Sequence, residues 1–191
     1  MKSVSKSFYL SSIIIGLISP FLLPVMLSAV PERGDFEYML NSFLVIGVGI
    51  SLAAYGAAML LILIYKMWAS LSSEYARTTP GKAVGLLFIP IFNLYWVFQA
   101  LWGWSKDYNK SVSENGASKK KISEILPLTI CILLAITFFS ILGIEYIRGD
   151  LAIVAGLGSM GILAFLVNII LIIIFANKAI DGINYLVRES T

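Results

Sequence analysis

Histidine is absent from this chain, and cysteine occurs once, at Cys131. The first absence removes the side chain most used for general acid–base chemistry near neutral pH and the commonest metal ligand. The second excludes an intramolecular disulfide and leaves no thiol pair for redox work or metal capture. Cys131 sits inside an apolar run, where it reads as packing. Charge is scarce as well: Asp, Glu, Lys and Arg make up 13% of the residues, against 59% apolar. There is no Gly-rich phosphate loop, zinc pattern, nucleophile elbow or nucleic-acid motif. The expectation is a protein that is not an enzyme, has no cofactor and binds no nucleic acid.

What the chain has is apolar length. With 191 residues and a mean hydropathy of +0.89, it lies outside the range of soluble domains. A hydrocarbon core of roughly 30 Å takes about 20 apolar residues per helix. The sequence offers four such runs, at about 8–30, 39–68, 122–146 and 151–177. The fold class expected is an all-α integral membrane protein of four transmembrane helices plus a broken re-entrant or interfacial hairpin at about 82–104. The polar stretch 105–121 is expected as a cytoplasmic loop, and 1–191 as a single membrane domain.

The first run follows Lys2 and Lys6 and contains Pro20 and Pro24, which should loosen its outer half. Its apolar core is longer than that of a cleaved signal peptide. The second run carries Gly49, Ala53 and Ala57 at four-residue spacing, and the last opens with a small-residue cluster that includes Gly158. Such faces let helices approach closely, which in lipid stands in for the hydrophobic drive. A parallel crossing between these two helices is one expectation, and homodimerisation is the other. Asn168, deep in the last run, should find a hydrogen-bond partner across a helix interface. Ile180, Ile183 and Val187 give the chain an amphipathic end, expected to lie along the membrane interface.

The stretch between the second and third runs does not fit the pattern. Pro80 and Gly81 open it, Val84 to Ile89 is too short to cross, Pro90 breaks it, and Asn93 supplies a turn residue. Lys and Arg are retained on the cytoplasmic side of a membrane. If the segment returns to the face it left, 12 basic residues lie inside and 2 outside; if it spans, 6 lie inside and 8 outside. The asymmetry favours return, with both termini cytoplasmic. Non-helical backbone at membrane depth is tolerated only when covered by protein or facing a wet cavity. Pro90, Asn93, Tyr95 and Gln99 are therefore the candidate ligand or gate residues, with Trp102, Trp104, Lys106 and Asp107 further along the same arm.

Pro80, Gly81, Ala83, Val84 and Gly85, followed by Phe88, Ile89, Pro90, Asn93 and Leu94, resemble a Pro-Gly-x-Ala-Val-Gly…Phe-Ile-Pro-x-x-Asn-Leu segment of small bacterial inner-membrane proteins. The resemblance covers about a sixth of the chain. It implies an inner-membrane, multi-pass location and transfers no activity, cofactor or functional residue. Three functions fit this sequence. The leading one is a non-enzymatic membrane subunit or scaffold that binds a protein partner or membrane lipid, with anionic headgroups favoured by the five lysines between 106 and 121. The alternative is a small channel or facilitator using the hairpin as gate. An enzyme would need Asp107, Glu114 and Glu124 brought together by loop folding.

Overall fold

Long apolar runs whose only prolines are Pro20, Pro24 and Pro127 leave the backbone one way to satisfy itself in lipid, which is helix. The computed structural model describes residues 3–28, 35–146 and 151–189, and no strand occurs among them. Seven α-helices follow in order among the described residues: α1 Lys6–Ser28, α2 Asp35–Ala69, α3 Pro80–Gly85, α4 Phe92–Phe98, α5 Trp104–Glu114, α6 Ile125–Tyr146 and α7 Leu151–Glu189. A 3₁₀ turn, Leu86–Phe88, extends α3, and a π-helical turn, Gln99–Gly103, joins α4 to α5. Among the described residues, four helices are long and apolar enough to cross a membrane, within Lys6–Ser28, Met39–Ala69, Ile125–Ile144 and Ala152–Glu189. This is the pattern of a multi-pass membrane protein. Of the acidic loop expected on the outer face at 31–38, residues 35–38 are instead the first turn of α2, while 31–34 and the outer turn expected at 148–150 lie outside the described residues.

Two units compose the chain, one formed by Ser5–Leu63 and the other by Met1–Val4 with Ile64–Thr191. In the first, α1 stays helical through Pro20 and Pro24. Gly16 and Gly56 meet backbone to backbone, and a Cβ on either would overlap the other's Cα. Gly49 faces Leu23, whose Cδ1 would stand 3.0 Å from an added Cβ. Ser12 and Tyr55 share a hydrogen bond of 2.8 Å beside this crossing.

In the second unit α6 and α7 pack along their length. Gly161 lies against Ser140 and Gly143 against Leu157, so small residues again set the approach. Gly158 has the looser contact, with Ile144 Cδ1 3.8 Å from an added Cβ. Buried Asn168 donates to the Ile130 carbonyl at 3.2 Å, the interhelical bond expected of it. Its Oδ1 has no partner. The close contacts of Gly49 and Gly158 are thus with helices of their own unit. Ala53 is half-buried and Ala57 exposed.

Two expected boundaries move. The amphipathic end is no separate segment: α7 runs unbroken to Glu189. Ile180, Ile183 and Val187 are buried against the protein, not laid on an interface. The stretch 105–121, expected as a loop, is helical through Glu114. Mean polarity suggests a loop there, but Asp107, Tyr108 and Asn109 of this helix are bonded inside the fold.

Candidate functional site

Thr79 starts the central segment by accepting the Lys82 amide on its hydroxyl at 3.3 Å, with Pro80 at the first helical position, where its missing donor costs nothing. Helix α3 and its 3₁₀ extension last nine residues, Pro80 to Phe88. The chain then reverses at Ile89–Ile91. Ile91 takes φ +66°, a conformation that a β-branched side chain adopts only under constraint. Asn93 is not the turn residue: it is the second residue of α4, and its amide donates to Ile89 O at 3.0 Å. The returning arm packs on the outgoing one, with the Trp96 indole donating to Ala83 O at 3.1 Å. Phe88, Ile89, Ile91 and Phe92 leave the tip apolar and exposed, Ile91 by 84%.

The expected gate residues scatter over this hairpin. Pro90 is exposed in the turn. Gln99 donates to the Tyr95 hydroxyl at 3.0 Å on an exposed face. Asn93 and Thr137 are the polar members of an otherwise apolar groove of about 350 Å³ bounded by Leu87, Val97, Leu134 and Phe165. The four residues do not converge on one point.

What converges lies at the base of the hairpin. Trp68, at the end of α2, donates its indole N–H to Ala100 O in the π turn at 3.0 Å. Trp104 returns the contact, donating to Met67 O at 2.6 Å. One helix turn on, Asp107 is held by Arg77 through Nε at 2.9 and 3.0 Å, through Nη2 at 2.5 Å, and by the Arg77 amide at 3.1 Å. This fork is the geometry in which guanidinium and carboxylate bind best. The hydrogen bonds to Asp107 raise the Arg77 pKa above its ordinary value, against the opposing effect of partial burial. Gly103 makes room, since a Cβ there would stand 3.3 Å from Gln99 Oε1 and 3.6 Å from the Arg77 side chain.

Further along α5, Tyr108 stacks on Trp104 with centroids 5.2 Å apart and donates its hydroxyl to Lys120 O at 3.2 Å. Burial pushes this phenol's pKa up to about 12. Asn109 brackets Ile122, accepting from its amide and donating to its carbonyl, both at 2.8 Å, and donates to Glu124 at 3.0 Å. Glu124, just before α6, is thus bonded to α5. A hydrogen bond with Glu114 raises the pKa of Tyr75. The three carboxylates that an enzymatic reading would require are engaged separately: Asp107 with Arg77, Glu114 with Tyr75 and Glu124 with Asn109.

Trp104 and Asp107 fall on the hairpin's arm in the sequence, but their joining to Met67 and Arg77 has no local sign. The readable signal was Trp104, Tyr108 and Val112 at four-residue spacing, interleaved with Ser105, Asn109 and Ser111, which marks one buried face of a helix. Trp102 lies on the other side, with Lys106 Nζ 3.4 Å above its ring.

The basic residues surround this knot. In 64–121 and 178–189 they outnumber acidic residues ten to five. Lys82, Lys110, Lys119, Lys120, Lys121 and Lys178 are exposed. The arrangement can hold an anionic surface electrostatically, and Asp107 and Glu114 among its carboxylates are engaged within the protein. No family model matches the chain, and no curated protein or solved structure matches it significantly.

Proposed function

We propose that the protein is a non-enzymatic, multi-pass scaffold of the bacterial inner membrane, whose knotted basic cap lies on the cytoplasmic side and associates with anionic lipid headgroups. The observation that carries this reading is the pairing of Arg77 with Asp107. These residues flank the hairpin, so the chain ends the excursion where it began it. The reciprocal bonds between Val4 and Asn184, at 2.6 and 3.0 Å, point the same way. They join the residues before α1 to the last turns of α7, as an even number of crossings requires. The hairpin's nine-residue outgoing arm spans about 14 Å, half a hydrocarbon core, and its exposed apolar tip suits lipid better than water. The hairpin is then re-entrant or interfacial, and nearly all the lysines share one face.

Such a face gains about 1 kcal/mol per basic residue near an anionic surface. The channel reading has less support, because the groove beside Asn93 is otherwise apolar but for Thr137. Two measurements test the proposal. Lys82→Cys and Lys119→Cys, each in a Cys131→Ser background, should both react with an impermeant maleimide from the cytoplasmic side only; labelling from opposite sides would overturn the topology. Native mass spectrometry from mixed-lipid nanodiscs should show anionic lipid retained over zwitterionic lipid, and equal retention would remove the lipid role.

A further inference from the structure

The basic surface is not uniform. Lys119, Lys120, Lys121 and Lys178 line one pocket of about 210 Å³ together with Tyr108, Asp181, Gly182 and Tyr185. Four cations against one carboxylate leave a local excess of three positive charges in a space of a few phosphate volumes. The cleft at the hairpin's base is larger, about 710 Å³, but its Arg77 is already neutralised by Asp107, leaving Lys82 as its other cation. Charge therefore singles out the smaller pocket.

Its lysines are not carried on a slack loop. Lys120 O accepts from Tyr108, Lys120 N donates to Ala117 O at 2.8 Å, Ala117 N donates to Val112 O at 2.9 Å, and Asn109 clamps Ile122 immediately after the run. The backbone carrying three adjacent ammonium groups is thus fixed against α5. On the opposite wall, Gly182 lets α7 close in: a Cβ there would stand 3.1 Å from both the Tyr108 ring and Ile122 Cδ1. That approach brings Lys178 on α7 to the same pocket as the 119–121 run. Lys120 Nζ lies 5.9 Å from the Tyr185 ring, which supplies an aromatic side to the opening. Fixing like charges together costs energy in the unliganded protein, and an anion placed between them recovers it.

We infer that this pocket, between the Lys119–Lys121 turn and Lys178 on α7, binds a phosphate group bearing two or more negative charges. A phosphomonoester or diphosphate fits the charge and the volume. Its source is a lipid headgroup such as phosphatidate or a free phosphate compound. The inference rests on the basic-cap reading and sharpens it from a surface to a site.

The test compares the wild type with Lys120→Gln/Lys178→Gln in the pocket and Lys106→Gln/Lys110→Gln outside it. The two variants carry the same net charge, and all four lysines are at least partly exposed. The full chain in zwitterionic nanodiscs is titrated with inorganic pyrophosphate. In a second arm, nanodiscs containing phosphatidic acid are analysed by native mass spectrometry for retained lipid. With roughly a fivefold factor per surface lysine, the pocket variant should lose about 25-fold in affinity and the outer variant less than about twofold. Saturable pyrophosphate binding with that pattern supports the pocket with a free phosphate as its source. No pyrophosphate binding, but phosphatidate retained by wild type and outer variant and lost by the pocket variant, supports it with lipid as the source. Equal weakening in both variants overturns the pocket while leaving the basic-cap reading intact. Absence of any anion preference in the wild type overturns both.

Discussion

The α1–α2 pair and the cap on α5 are held together by opposite means. In the first, two glycines remove every side-chain atom from the crossing, and backbone touches backbone with one hydroxyl pair alongside. In the second, a guanidinium–carboxylate fork, two indole N–H groups and an asparagine bracket tie side chains to distant backbone. Lipid is as apolar as leucine, so helices within it gain by fitting closely rather than by hiding from solvent. Near water, buried polar atoms must be paired, and pairing them fixes one arrangement. The difference fits the proposed arrangement, with the helix pair in lipid and the cap outside it.

The comparison is broken most severely at the ion pair. Asp107→Ala removes the carboxylate that receives the Arg77 side chain and amide. Because Arg77 is partly exposed, the expected loss is about 2–3 kcal/mol, below that of a fully buried pair. Thermal unfolding in detergent should show it, with new protease cleavage near residues 72–79 while α1 and α2 stay resistant.

Gly56→Val attacks the other region by shape alone. The added atoms overlap Gly16, so the helices must part, at an expected cost of about 1–3 kcal/mol. Gly56→Ala should cost less, and neither should alter cleavage near residues 72–79.

The polar cap also predicts a pH response of its own. Tyr108 ionises at about 12 in the fold, against an ordinary value of 10.0. Between these values the unfolded chain loses a proton that the native state keeps, so stability is full below pH 10.0 and falls as pH rises toward about 12. Tyr108→Phe should flatten that decline in thermal unfolding followed against pH.

The smallest effect belongs to the polar bond inside the spanning helices. Asn168 donates to one carbonyl but leaves its own oxygen unpartnered. Asn168→Leu should therefore change stability by no more than about 0.6 kcal/mol in either direction. A loss as large as that of Asp107→Ala would show that polar bonds hold both regions alike.

Hydropathy and helix breakers made the four long helices readable from sequence, because each satisfies its backbone without help from the rest of the chain. Pro90 likewise marked the interruption in the central segment. The turn itself was misassigned to Asn93, because Ile91 is a side chain that local propensity would never place at positive φ. The same limit hid the helix after Ser105. Its polar residues suggest a loop by composition, and groups outside the helix, Met67, Arg77, Lys120, Ile122 and Glu124, supply the bonds that bury its inner face.

Sequence alone therefore determined which stretches are apolar helices and on how few residues the charge is carried, since both follow from local composition. The tertiary structure decided what that charge does. It brought Arg77 to Asp107 and Lys178 to the lysine run across long separations in the chain. Neither pairing has a local signature, because an ion pair or a shared pocket depends on distance in space.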